Sequence, residues 1–192
     1  MTFNPDDYSV KKQFGNNWFH IRPSKSSDKD LVWQGYQDAP QEFFRHLNPI
    51  SIDAINHWYP QGVELDYKHS LPFNAMLLDD SQNEVAFAGN MTLIFSQSPR
   101  YKHRAHMGLS VLPKFQKLGI GSYLTQLSVN VAKAKPGIYR LELEVNTSNH
   151  ARKIYPKFGY QQEAILQKVF LMDDGSLEDV IIMSIIFSDK KL

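Results

Sequence analysis

The chain has 192 residues, 42% of them apolar and 12% aromatic, with 21 basic and 20 acidic side chains and a formal net charge of +1. Such a chain suits one compact domain spanning 1–192 with a sizeable core, and its balanced charge offers no electrostatic footprint for nucleic acid or an anionic membrane. Cysteine is absent, which removes disulfides and thiolate-bound zinc and suits a cytoplasmic protein.

Met1 to Val10 carries Asp6 and Asp7 and no apolar centre, so it does not read as a signal peptide, and no run is long enough to span a bilayer. Residues 1–17 read as an N-terminal extension. Trp18 to Arg22 reads as a first strand and Asp28 to Tyr36 as a helix beginning near Ser27. Phe43 to Tyr59 is helical or mixed. Phe73 to Leu78 and Val85 to Phe95 are strands about a turn at 79–83. Ala105 to Leu112 is an apolar strand that stops at Pro113, which a central strand could not tolerate. A helix starts at Ile120, with Leu124, Leu127, Val131 and Ala134 inward and Gln126, Asn130 and Lys133 outward. Leu141, Leu143 and Val145 alternate as a strand. Ala164 to Met172 and Val180 to Phe187 make two more about Asp173-Asp174-Gly175. The sum is an α/β (α+β) fold, a mixed, mainly antiparallel sheet with helices on both faces. The apolar Ile181 to Phe187 run would form an exposed edge unless covered or paired, and a homodimer is one way to pair it. His103 and His106, three apart on a strand, face opposite sides, so no metal site is expected.

Between strand and helix lies Gln116-Lys117-Leu118-Gly119-Ile120-Gly121. A polar-glycine loop in this position presents unpaired N–H groups at the helix's positive end, where a pyrophosphate can sit. Gly119 and Gly121 let a ligand approach the main chain. A Walker-type loop would need a Lys-Ser/Thr pair after its second glycine, and none follows. The dinucleotide fingerprint would need a third glycine where Leu124 stands, although Glu144 lies at roughly the expected distance of about 20 residues.

The loop matches Q/R-x-x-G-x-G/A in full, after Val111-Leu112-Pro113. Asn149 to Tyr160 follows N-x-x-A-x-x-[LI]-Y-x-K-x-G-[FY] at every specified position from Ala151 onward, with Asn149 one residue nearer to that alanine than the pattern has it. In these two motifs the chain resembles the GNAT superfamily of N-acetyltransferases, including its phosphinothricin-acetyltransferase-like and ribosomal-protein-alanine-acetyltransferase-like members. The resemblance runs more loosely from about Phe19 to Phe187. It implies about seven strands with a splay between the fourth and fifth, an acetyl-CoA-binding core at 104–160, and acetyl-CoA as co-substrate with no metal.

Carried over by position, it implies that the main chain of Leu109, Ser110 and Val111 pairs with the pantetheine arm. The N–H of Leu109 or its neighbour would polarise the thioester carbonyl. Gln116 belongs to the same loop, and the N–H groups of Lys117, Leu118, Gly119, Ile120, Gly121 and Ser122 would hold the pyrophosphate. Asn149 would hydrogen-bond the pantetheine and also cap a helix. Tyr155 would stand beside the sulfur, where a phenol of pKa about 10 can protonate a thiolate whose conjugate acid is near 8.5. Pro156 disfavours helix at Tyr155 and removes a bond to the Arg152 carbonyl, so a kink or early helix end is expected there. The alternative for Tyr155 is an inward stripe with Ala151, Ile154 and Phe158.

Two residues are candidates for the base. Glu144 lies where the ribosomal-protein alanine acetyltransferases place theirs, and His106 where the phosphinothricin-acetyltransferase-like members usually carry glutamate; a structural role, with Arg140 pairing to Glu142 or Glu144, is the alternative. In this family the first helices and last strands wall the acceptor pocket, so the aromatics Trp33, Tyr36, Phe43, Phe44, Trp58, Tyr59 and Tyr67 either shape that pocket or fill the core. The expected function is acetyl transfer to a primary amine of a small molecule, by direct attack through a tetrahedral intermediate. The alternatives are a protein N-terminus as acceptor and a non-catalytic acyl-CoA sensor.

Overall fold

The computed structural model describes residues 3–47 and 50–188, with the main chain alone at 46. In chain order the elements are β1 (Val10–Phe14), β2 (Asn17–Pro23), α1 (Lys29–Gln37), α2 (Ile52–Trp58), β3 (Ser70–Leu78), β4 (Glu84–Phe95), β5 (Arg104–Val111), α3 (Ile120–Ala134), β6 (Arg140–Asn146), β7 (Gln161–Leu171) and β8 (Leu177–Ile186). Eight strands form one sheet in the order β1-β2-β3-β4-β5-β6-β8-β7. Every neighbour is antiparallel except β5 and β6, which run parallel over three pairs only: Arg104 with Arg140, Ala105 with Leu141 and His106 with Glu142. Beyond His106 the two strands splay apart. Among the described residues no helix is long and apolar enough to cross a membrane.

Alternation along the strands sets the two faces. Met91 and Leu93 of β4, Ala105 and Met107 of β5, and Leu141, Leu143 and Val145 of β6 are buried in the core to which α3 contributes Ile120, Leu124, Leu127 and Val131. Ala134, expected inward, is exposed. On the opposite face α1 lies close, because Gly35 has no side chain. A Cβ there would meet Phe87 at 3.0 Å and Leu112 at 3.1 Å.

Two expectations need correction. The stretch read as an extension contains β1, making eight strands rather than about seven. Of its residues only Phe14 is buried, so an edge strand wetted along most of its length carries little apolar pattern. Its signal was the Gly15-Asn16 pair, where Gly15 takes φ +60° in a two-residue hairpin turn. The Ile181 to Phe187 run is not an edge: β8 is paired by β6 on one side and β7 on the other, and β7 is the edge.

A buried ionic network ties β2, β3, β4 and the turn before α1. The Arg22 guanidinium donates to both Asp28 oxygens at 2.9 and 2.7 Å and to both Glu84 oxygens, the Nε contact being 2.8 Å. Asn74 Nδ2 donates to Asp28 at 2.8 Å, and Tyr59 donates its hydroxyl proton to Asn74 Oδ1 at 3.2 Å. His20 Nδ1 lies 2.7 Å from Glu84. Burial pushes the Glu84 carboxyl up, but the hydrogen bonds and charge of Arg22, aided by His20, outweigh it and hold the group below the usual range.

Gly89 serves the β4–β5 contact. Ala88 is the extra residue of a bulge in β4, and its carbonyl accepts from Leu112 N–H at 2.8 Å. A Cβ on Gly89 would lie 2.4 Å from the Ser110 carbonyl oxygen and 2.8 Å from Val111 Cα.

Removing Arg22 strands the buried Asp28 carboxylate and the half-buried Glu84 one, so Arg22→Leu is expected to cost about 3–5 kcal/mol at pH 7. A carboxyl whose folded pKa is depressed contributes stability above its unfolded value, about 4.3, and loses it as pH falls through the folded value. The melting-temperature gap between wild type and Arg22→Leu should therefore narrow below about pH 4. Gly89→Ala should wedge β4 from β5, lowering stability by about 1–3 kcal/mol in urea melts.

Candidate active site

The hydrogen bond from Leu112 to Ala88 fixes the alternation along β5, so the amides of Ser110 and Gly108 point to β4 while those of Leu109 and Val111 point into the splay. No β6 residue pairs with them. At the end of this strand the Gln116 side-chain amide donates to the Val111 carbonyl at 2.9 Å, pinning the loop. Lys117 takes φ +60° and Gly119, the residue that caps α3, takes φ +98°. No side chain caps the helix, so its first-turn amides are left facing the loop's hollow. A Cβ on Gly121 would meet nothing nearer than Val111 Cγ2 at 3.6 Å; the fold does not need a glycine there, and a ligand approaching the main chain would.

A cleft of about 610 Å³ runs along these amides. Leu109, Ser110, Val111, Gln116, Lys117, Gly119, Gly121 and Ser122 line one side, and Asn149 and Tyr155 the other. The loop and Asn-Tyr motifs thus meet in one groove. Leu118 and Ile120 contribute no lining: Leu118 packs on the core and Ile120 is fully buried, which leaves their main chain as the part that can face a ligand. Ser148, His150, Ile154, Glu42 and Leu47 also line the cleft. Of these only Ile154 stands at a specified motif position; the others carried no motif signal of their own.

Asn149 Oδ1 accepts from Ala151 N–H at 2.9 Å, so the capping role is real. What it caps is not an α-helix. His150–Lys153 and Tyr155–Phe158 are two single 3-10 turns meeting at Ile154, the early end expected from Pro156. Tyr155 is nevertheless in the cleft wall, buried edge-on against Tyr160 with ring centroids 5.8 Å apart. Its hydroxyl makes no hydrogen bond among the described residues, and burial pushes the phenol up to about 12.

A second cavity, about 350 Å³, adjoins the cleft and shares Leu47, Leu109 and Ser110 with it. Of the seven aromatics weighed from the sequence, Tyr36, Trp58 and Tyr59 line it. Trp33, Phe43, Phe44 and Tyr67 pack against the core, Phe43 also bordering the cleft. Asn90 and Thr92 line it too. No charged residue or histidine is among the described residues of its lining. Ser110 donates to Asn90 Oδ1 at 2.7 Å, and Tyr36 Oη lies 3.3 Å from Ser110 Oγ.

His106 and Glu144 line neither space. Both share a sheet face with Glu142, the residue paired with His106. Glu142 is held by Arg104 at 2.6 Å and Arg140 at 2.7 Å, while Glu144 is exposed and makes no ion pair among the described residues. Nor do three or more potential metal ligands come together among them.

Residues 33–160 match the model of the acetyltransferase (GNAT) family. A ribosomal protein bS18-alanine N-acetyltransferase from Haemophilus ducreyi is 34% identical over 139 residues, which is 71% of this chain and 90% of that protein. The solved ribosomal-protein-S5-alanine acetyltransferase from Vibrio fischeri matches with a TM-score of 0.76 at 19% identity, over 95% of this chain and 100% of that one. A spermidine N-acetyltransferase from Vibrio cholerae, solved with CoA and spermine, matches with a TM-score of 0.69 at 19% identity, over 88% and 96%. At those identities the structural matches speak for the fold. With its two motifs meeting in one groove and the family model spanning that groove, the chain belongs to the GNAT family and is an acetyl-CoA-dependent N-acetyltransferase.

Proposed function

We propose that the acceptor is the α-amine of a peptide or protein N-terminus. The observation that carries this reading is the uncharged lining of the cavity beside the cleft. A polyamine brings further positive charges and a free amino acid a carboxylate, and either would be desolvated there without a counter-charge. An N-terminal residue brings a single amine, because its carboxyl is already an amide. The bS18-alanine N-acetyltransferase among the relatives supports the same choice. The cavity's aromatic wall also favours a second reading, a small apolar monoamine.

In this mechanism the outward amides of Leu109 and Val111 pair with the pantetheine arm, and Leu109 N–H or its neighbour stabilises the oxyanion formed as the amine attacks the thioester carbon. Lys117 to Ser122 receive the pyrophosphate on main-chain N–H groups, and Asn149 turns its amide nitrogen to the pantetheine. Collapse of the tetrahedral intermediate breaks the carbon–sulfur bond. Tyr155 gives the departing thiolate its proton. The burial that raises the phenol penalises the thiolate as well, so donor and recipient move in the same direction.

Tyr155→Phe should lower kcat by about 10²–10⁴-fold, the range for losing a general acid. It should leave acetyl-CoA binding, read by calorimetry, within about twofold, since the ring and its packing remain; unchanged turnover removes Tyr155 from the mechanism. Thiol release from acetyl-CoA should follow addition of an alanine-starting peptide amide, and not of free alanine or spermidine. Turnover with small monoamines alone would select the second reading. Donor binding with no acceptor-dependent release would make the protein an acyl-CoA sensor.

A further inference from the structure

The hydrogen-bond chain at the junction of cavity and cleft has a direction. Ser110 spends its proton on Asn90 Oδ1, so the Tyr36–Ser110 contact must be made with the Tyr36 proton. Tyr59 likewise spends its proton on Asn74 Oδ1, because Asn74 Nδ2 is committed to the Asp28 carboxylate. Both phenols therefore have only lone pairs left to offer, and both residues line the cavity. Burial raises both, Tyr36 to about 12, so neither is a phenolate at neutral pH. Tyr59 hangs on the β3 side of the cavity. Tyr36 touches Ser110, whose main chain lies on the donor cleft and whose hydroxyl lies in the cavity network.

We infer that Tyr36 Oη is the atom that accepts the N–H of the incoming amine and holds its nitrogen, as the uncharged free base, against the donor cleft. This rests on the acceptor reading above. An uncharged site whose phenols offer only lone pairs matches a group whose exposed hydrogens are all donors, while an ammonium ion would enter it without a counter-charge. Tyr36 is thus a specificity-determining contact, and selection works through the acceptor's own pKa. At pH 7 an N-terminal amine with pKa about 8 is roughly one-tenth free base, and an alkylamine with pKa about 10.4 is below about one part in a thousand. Among the described residues the titratable groups around Tyr36 are few. Tyr59 faces it from the end of α2, α1 adds no other to the lining, and β3 and β4 add none. Glu42, from the turn after α1, borders the adjoining cleft. His106 and Glu144 share the sheet face outside the lining.

The test is steady-state kinetics of wild type and Tyr36→Phe with an alanine-starting peptide amide and with propylamine. Losing one neutral hydrogen bond should raise the peptide KM about 3- to 10-fold and leave the acetyl-CoA KM within about twofold. The retained ring keeps its packing on Phe43 and Phe87, so the melting temperature should hold. An unmoved peptide KM overturns the assignment, and so does a rise confined to acetyl-CoA, which would mean that Tyr36 acts on the donor through Ser110. A second measurement needs no variant. In wild type, kcat/KM for the peptide should level off above about pH 8 while that for propylamine rises to about pH 10. A shared limb below about pH 7.5 that vanishes in His106→Ala would instead show a protein base and overturn free-base selection. Wild type that turns over no amine overturns the acceptor reading and this assignment with it; normal turnover with an unmoved KM overturns this assignment alone.

Discussion

The parallel contact of β5 with β6 over three residue pairs is the constraint on which the rest of the molecule depends. Had the strands stayed paired, the amides of Leu109 and Val111 would be spent inside the sheet. Because they part after His106, one long strand is hydrogen-bonded on one side only, and buried backbone polar groups left open call for a partner. The closed end of the splay is clamped by charge. Arg104 grips both Glu142 oxygens at 2.6 and 2.8 Å, and Arg140 bridges Glu142 to Glu163 at 2.7 and 2.8 Å. Hydrogen bonds from Arg140 and Ser184 pull the Glu163 carboxyl down to about 2. This ladder occupies Glu142 fully and leaves Glu144 outside it.

Pro156 shows how a local rule can be broken without moving the side chain that matters. The missing N–H ends the helical turn, and the chain continues as a second turn in which Lys157 N–H bonds the Ile154 carbonyl at 3.1 Å. Gly159 then closes it in the left-handed region at φ +94°. Tyr155 stays where packing on Tyr160 holds it. Tertiary burial, rather than helix continuity, sets its position.

These residues were unequally legible. The loop could be read because its chemistry is local: glycines, a strand stop and a helix start lie in consecutive positions, and the groups proposed to act are backbone amides. Ile120 was placed correctly as the start of α3 for the same reason. The cavity could not be read this way. Tyr36, Tyr59, Asn90 and Ser110 come from α1, the end of α2, β4 and β5, and no spacing in sequence brings them together. Tyr36 and Phe43 pack ring to ring at 6.3 Å, yet the first faces the cavity and the second the core and cleft; composition alone does not separate them. The bases weighed from the sequence, His106 and Glu144, were positioned by strand alternation, which gives the face but not the distance to a cavity walled by helices.

The two halves of the site are held by different physics, and this has a consequence for specificity. The proposed donor cleft would hold its ligand chiefly through main-chain amides of β5 and the loop, which side-chain substitution changes little as long as Gly89, Gly119 and the splay persist. The acceptor cavity is made of side chains, and its far wall is anchored through Tyr59 and Asn74 to the buried Asp28–Arg22 pair. A wall fixed to a buried ion pair is rigid, so its lining rather than its mobility must select the amine. Exchange of a few lining residues can then alter the acceptor without disturbing the donor. Such a separation is compatible with this chain sharing its fold, at 19% identity to each, with proteins named for an alanine of ribosomal protein S5 and for spermidine. On the acceptor reading proposed above, the choice of amine falls to Tyr36, Tyr59, Asn90 and the ring of Trp58, which line the cavity and not the cleft.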